Sequence, residues 1–259
     1  MHPLLFTVEF RKKMAELSQV DRQEWLGSLA SRFVRDPSPL LAQEMGEVAR
    51  GCRLPLVESI DRQLGPFLPL HLRALLEVPR ERFVRQEDIV RSAEDTPLPL
   101  DDEGLATISA PHAYLLSFRL LELAQGDSLV ELGTGSGYGA ALAAFVVGAE
   151  GRVRTFEIDP VLAAWAARNL AEYPNVVIEH RDAMASAPAW DRPSKVSVAF
   201  AVDRLPQAWL DALPEGGRLV APVGSRDKDQ RLVLATRHDG RVVETEHGAV
   251  RYVKNRSAR

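Results

Sequence analysis

Residues 130–142, VELGTGSGYGAAL, decide how the chain folds. Val130 and Leu132 suit a strand, the alternating glycines Gly133, Gly135 and Gly137 suit a tight turn, and small helix formers follow. The pattern reads as strand, turn, helix, with backbone N–H groups at the helix start free to hold a ligand.

Working outward, strands and helices alternate from Ser128 onward. SLVEL, RVRTFEI, NVVIEHR, KVSVAFA and GGRLVAPV have strand texture. YGAALAAFVV and PVLAAWAARNLAEY are helical, the second opened by Pro160 at its first turn, and PQAWLDAL is a short helix. The closing segments QRLVLATR and GRVVETEHGAVRYV flank HDG at 238–240, which predicts an antiparallel hairpin. The expected fold is α/β: a Rossmann-like, mostly parallel sheet of about seven strands with helices on both faces, ending in that hairpin. Ligands of such sheets sit at the carboxyl ends of the strands, where the glycine loop stands.

Upstream, residues 76–127 form a connector rich in prolines and acids, ending in a helix from Pro111 to Leu123 with Ser109 as its cap. Residues 1–75 have helical spacing broken by prolines, with Leu17, Val20, Trp25, Leu29 and Phe33 on one face. The division expected is an N-terminal helical extension over 1–75, covering the main domain or meeting a partner, and a main domain over 76–259. The composition is that of a soluble globular protein: 259 residues, 46% hydrophobic and 26% charged. A net charge of -4 argues against nucleic acid as the main partner. One cysteine, Cys52, excludes an intrachain disulfide and a cysteine-rich zinc site. No run has the apolar length of a membrane span, and the N-terminus lacks the order of a secretory signal. A cytoplasmic protein is expected, with no membrane partner.

The glycine loop allows more than one ligand. GSGYGA from Gly135 fits the looser dinucleotide pattern G-x-G-x-x-A. A phosphate loop of the Gly-Lys-Ser/Thr kind is absent. In an earlier register, Glu131-Leu132-Gly133-Thr134-Gly135-Ser136-Gly137 resembles the S-adenosylmethionine-dependent methyltransferases of the Rossmann-like class. Chemistry favours this register. An acid at Glu131 repels a pyrophosphate but faces the ammonium of S-adenosylmethionine directly or through water. Glu157 can accept both ribose hydroxyls, and Asp182 can accept from the adenine amino group. Three acids on successive strand ends make an adenosyl site, with Tyr138, Ile158 and Ala183 beside them.

The region 76–253 further resembles the protein-L-isoaspartate O-methyltransferase family. The matching pieces are VPRERFV (78–84), DTPLPL (95–100), ATISAPHAY (106–114), LVELGTGSGYGAALAA (129–144), PQAWLDALPEGGRLVAPVG (206–224) and VRYV (250–253). The resemblance implies methyl transfer from S-adenosylmethionine to a carboxylate of an isoaspartyl or D-aspartyl residue in a damaged protein or peptide, leading to succinimide formation and repair. Such a carboxylate is already ionised at neutral pH, so no strong base is needed. Alignment of the reacting atoms and exclusion of water carry the chemistry. The family's threonine-isoleucine-serine motif maps onto Thr107, Ile108 and Ser109. By resemblance Ser109 orients the substrate carboxylate, Thr107 and Ile108 contact the cofactor, and His112 with Val250, Arg251 and Tyr252 lies at the substrate.

Departures cluster near the substrate. Asp101, Asp102 and Glu103 add negative charge, which disfavours a carboxylate unless a cation intervenes. Leu105 and Ala106 stand where glutamine is usual, Phe200, Asp203 and Arg204 fall near the cofactor rim, and the end KNRSAR is basic. Two alternatives stay open: a relative that methylates an aspartate of a dedicated peptide or another substrate, and a cofactor-binding module without turnover.

Overall fold

The computed structural model describes residues 16–185, 187, 190–191, 193–224 and 229–256. Helix α1, Gln19–Arg35, begins at a capping box: Asp21 N–H donates to Ser18 Oγ, and Ser18 N–H donates back to the Asp21 carboxylate. It buries Leu26, Leu29 and Ala30. Val20 is 62% exposed and is not on that face. It lies nine residues from Leu29, about 180° around the helix at 3.6 residues per turn.

Helix α2, Pro39–Leu64, continues through Pro55 without interruption, where the sequence suggested a break. Proline cannot donate to the carbonyl four residues back, which leaves the oxygen of Gly51 unclaimed. The Arg22 guanidinium of α1 donates to that oxygen at 3.1 Å, and Gln19 Nε2 donates to the neighbouring Cys52 carbonyl at 3.4 Å. Helix α3, Pro69–Glu77, follows and buries His71, Ala74 and Leu75.

The expected connector has structure. Three single 3₁₀ turns, Arg80–Arg82, Gln86–Asp88 and Val90–Ala93, lead to a two-stranded antiparallel ribbon of β1 (Leu98–Pro99) and β2 (Thr107–Ile108). Helix α4 spans Pro111–Leu121. Its cap is Ala110, with no side-chain hydrogen bond, so Ser109 does not cap it. Pro111 at the first position brings no N–H to satisfy.

The sheet is then built in alternation: β3 (Ser128–Leu132), α5 (Tyr138–Val147), β4 (Arg152–Glu157), α6 (Pro160–Asn169), β5 (Val176–His180), β6 (Lys195–Val198), α7 (Gln207–Ala212), β7 (Arg218–Val223), β8 (Gln230–His238) and β9 (Arg241–Val250). Strand order is β5-β4-β3-β6-β7-β8-β9. The first five strands pair in parallel, and β8 and β9 are antiparallel. The β8–β9 turn holds Asp239 and Gly240 at φ 49° and 71°, the positive values a tight hairpin turn uses.

The order reverses beside β3: the chain goes one way to β4 and β5, then returns to β6. That is the switch point at which ligands bind. Period-2 alternation sorts β3 between two cores. Val130 and Leu132 join Phe156, Val196, Val198 and Trp209 on one face. Leu129 joins Leu115, Tyr138, Leu142 and Val146 on the other, and the buried apolar residues of α1, α2 and α3 belong to this same cluster. His71 Nε2 bonds the Leu123 carbonyl at 2.8 Å, and the Arg73 guanidinium lies over the Phe145 ring.

Candidate active site

Glu131 is the acid of the expected cofactor triad that sits deepest. It faces the α5 side of β3, in register with Thr155 on β4. Thr134 donates to Thr155 Oγ1 at 2.6 Å, and Thr155 donates to Glu131 Oε2 at 2.7 Å. Gly139, the second residue of α5, makes room for this carboxyl: a Cβ there would lie 2.0 Å from Glu131 Oε1. Burial pushes the Glu131 carboxyl up to about 8, and the Glu157 charge adds to the shift while the Thr155 bond opposes it. An acid so removed from water keeps its proton near neutral pH unless a cation is placed beside it.

Glu157 ends β4 and receives two backbone amides, Gly135 N–H at 2.8 Å and Asp159 N–H at 3.0 Å. Burial raises its pKa, which the two amides partly offset. The glycine loop is anchored from outside by Asn169 Nδ2, donating to the Ser136 carbonyl at 2.9 Å. Gly133 and Gly135 have φ of 93° and 56°, and an added Cβ would press on Phe200 at 3.0 Å and on Leu100 at 3.1 Å. Asp182 follows β5, its Oδ1 accepting from Met184 N–H at 2.8 Å.

One cavity gathers Thr107, Ile108, Ser109, Glu131, Gly133, Thr134, Gly135, Ser136, Tyr138, Glu157, Ile158, Asp182 and Ala183. Ser109 is held by its backbone on both sides. Its N–H donates to Tyr114 Oη at 3.2 Å, and its carbonyl accepts from Arg80 at 3.1 Å.

The comparisons with known proteins agree with this geometry. Residues 70–258 match the model of the protein-L-isoaspartate(D-aspartate) O-methyltransferase family. The chain belongs to this family. It is 37% identical over 178 residues to the protein-L-isoaspartate O-methyltransferase of Methanocella arvoryzae, covering 68% of this chain and 93% of the relative. It is 38% identical over 199 residues to that of Gloeobacter violaceus, covering 75% and 95%. A solved protein-L-isoaspartate O-methyltransferase superposes with a TM-score of 0.72 at 27% identity over 78% of this chain, which spans 65% of that one's length. A Plasmodium falciparum structure titled as a putative member shares the fold, with a TM-score of 0.69 at 23% identity over 79% of this chain and 98% of that one. The protein is a methyltransferase, and its cofactor is S-adenosyl-L-methionine. The residues present fit that cofactor, because the deepest group is a buried acid that a cationic methionine end neutralises.

Within this methyltransferase fold, other expected residues stand apart from the cavity. Gly137 lies behind the loop, where a Cβ would meet Leu170 at 3.0 Å. His112 pairs with Asp95: its backbone N–H donates to Oδ1 at 3.0 Å, and its Nδ1 lies 2.9 Å from the carboxylate. It clamps the DTPLPL segment. Val250 ends β9 and packs on the core. Tyr252 has its backbone clamped by the Gln230 side chain, which donates to its carbonyl at 3.1 Å and accepts from its N–H at 2.7 Å. Arg251 and Tyr252 line a neighbouring groove with Gly104, Leu105 and Thr107. Asp203 and Arg204 line a different groove, with Lys254 and Asn255. Of the three rim candidates, Phe200 alone reaches the cavity.

Two acids of the loop, Asp101 and Asp102, are met by cations, and Glu103 is exposed. Asp102 pairs with Arg85 at 2.7 Å. Arg256 pairs with Asp101 at 2.5 Å and with Asp159 at 2.6 Å, and it lines the cavity. Segment 253–256 crosses the cavity beside Ala201, whose N–H donates to the Val253 carbonyl and whose carbonyl accepts from Asn255 N–H. Arg256 thus joins the ribbon loop to the entry of α6. Sequence reasoning noted a basic end but assigned it no place at the site. Tyr114 and Gly139 were also missed, although a further glycine two residues past the acid-x-G-x-G-x-G run is a usable sign of a carboxyl needing space.

Proposed function

We propose that the cavity presents a carboxylate of an isoaspartyl or D-aspartyl residue, in a protein or peptide, to the methyl group of S-adenosyl-L-methionine. Ser109 donates a hydrogen bond to that carboxylate and orients it. Glu131 faces the methionine end of the cofactor, Glu157 accepts from the ribose hydroxyls, and Asp182 meets the adenine edge. When bound, the cofactor supplies an electrophilic methyl on sulfur. The protein's part is alignment and desolvation. Residues 76–259 act as the methyltransferase domain, with 1–75 as its helical extension.

The observation that carries this reading is the backbone of Ser109, fixed by Arg80 and Tyr114 at the wall of the cavity that Glu131 and Glu157 close from below. Neutralisation of Asp101 by Arg256 and of Asp102 by Arg85 supports an anionic substrate there. The test uses labelled S-adenosyl-L-methionine with paired isoaspartyl and normal aspartyl peptides. Transfer to the isoaspartyl peptide alone is expected. Ser109→Ala is expected to lower kcat on the order of tenfold to a hundredfold with cofactor affinity unchanged. Wild-type turnover in that variant would remove Ser109 from the chemistry.

A further inference from the structure

The Ser109 carbonyl is one of four that a single side chain holds. Arg80 is fully buried. Its Nη1 donates to the carbonyls of Ser92 at 3.1 Å and Glu94 at 2.9 Å, and its Nη2 to those of Thr96 at 2.8 Å and Ser109 at 3.1 Å. A guanidinium presents several donors in a rigid fork, so its position fixes the acceptors around it. The place of Ser109 therefore depends on what locates Arg80.

Arg80 shares a single 3₁₀ turn with Glu81, which points to the opposite side, into α2. There Arg53 pairs with the buried Glu81 carboxylate, and its second nitrogen donates to the Leu76 carbonyl at 3.1 Å. Arg53 is itself 3% exposed. Two guanidinium groups thus bracket the turn, one gripping it from α2 and one projecting from it into the ribbon that carries Ser109. Helix α2 ends at Leu64, before the family match begins at residue 70.

We infer that Arg53 is a positioning residue for the methyl transfer: α2 sets the location of Ser109 through the buried Arg53–Glu81 pair and the Arg80 fork. The inference rests on the reading of Ser109 as the group that orients the substrate. It gives the helical extension a task inside the reaction, distinct from partner recognition.

The test uses the full chain. Arg53→Met alone strands a buried carboxylate, so the informative variant is the pair R53M/E81L, which removes both charges and keeps apolar volume. Arg53→Lys is the milder companion, keeping the charge and losing the fork. Three quantities are read: cofactor affinity, kcat with the isoaspartyl peptide, and amide hydrogen exchange over residues 105–110 and over β4 and β5. Expected are cofactor affinity within about twofold of wild type, kcat lowered on the order of tenfold or more, and faster exchange at 105–110 with β4 and β5 unchanged. Arg53→Lys should fall between. A folded variant, R53M/E81L or R53K, with wild-type exchange at 105–110 and wild-type kcat would overturn the inference, even if its Tm had dropped. Should the wild-type protein fail to methylate the isoaspartyl peptide, the substrate reading fails by itself. The exchange at 105–110 still decides whether Arg53 positions the loop.

Discussion

At the scale of single residues, Glu131 makes the protein sensitive to pH. Its carboxyl sits well above an ordinary glutamic acid, at about 8, because burial disfavours the charge. A group raised in the folded state contributes stability that is full below its unfolded value and is lost as pH rises through its folded value. The ligand-free protein should therefore lose stability between about pH 5 and pH 8, and Glu131→Gln should flatten that slope in Tm. A cation bound beside Glu131 pulls its proton off. Cofactor binding at pH 7 should release up to about one proton more in the wild type than in Glu131→Gln. Calorimetry in buffers of different ionisation enthalpy checks this, and equal release in both proteins would place the methionine end elsewhere. Glu131, Glu157 and Asp182 were readable as a group because each stands at or just beside the end of a strand whose local pattern is strong. The Arg256 contact to Asp101 was not, because it joins positions 155 residues apart and no local pattern encodes it.

At the scale of elements, the unbroken α2 depends on a neighbour. Arg22 from α1 holds the Gly51 carbonyl that Pro55 leaves without a donor. Arg22→Met should cost about 1–2 kcal/mol, since it strips that carbonyl of its partner. Pro55→Ala restores the intrahelical N–H, so in the R22M background it should recover most of the loss. Additive effects in this double-mutant cycle, read by denaturant unfolding, would show that the two positions are independent. The proline pattern misled at this point because tertiary satisfaction overrode a local rule. The parallel strands and the HDG hairpin followed the pattern, because period, turn chemistry and burial agree there. Arg53 and Arg80 look like ordinary solvated charges in sequence, and only the packing of two helical layers reveals them as buried.

At the scale of the whole molecule, the helices α1 to α3 share one apolar cluster with α4, α5 and α6. A chain begun at residue 67 would expose the faces of α3 and of the Val90–Ala93 turn, and would leave Glu81 without Arg53. It should unfold at least roughly 10 °C lower than the full chain, for a loss of several kcal/mol, or precipitate. Scanning fluorimetry with and without cofactor reads the shift, and an unchanged Tm would make the helices a detachable appendage. The amphipathic spacing in 1–75 was legible, but the surface it covers was not, because helical periodicity reports a buried face without naming its partner. The shared core also sets an order on synthesis. Helix α3 leaves the ribosome before α5, whose last residue is Val147. At typical elongation rates that interval is on the order of ten seconds. Throughout it the nascent helices α1 to α3 can cover one another, but the part of α3 that meets α5 has no partner yet. The nascent chain thus carries part of an apolar face bare until α5 is made, and its yield in a cell should rise with the supply of chaperones.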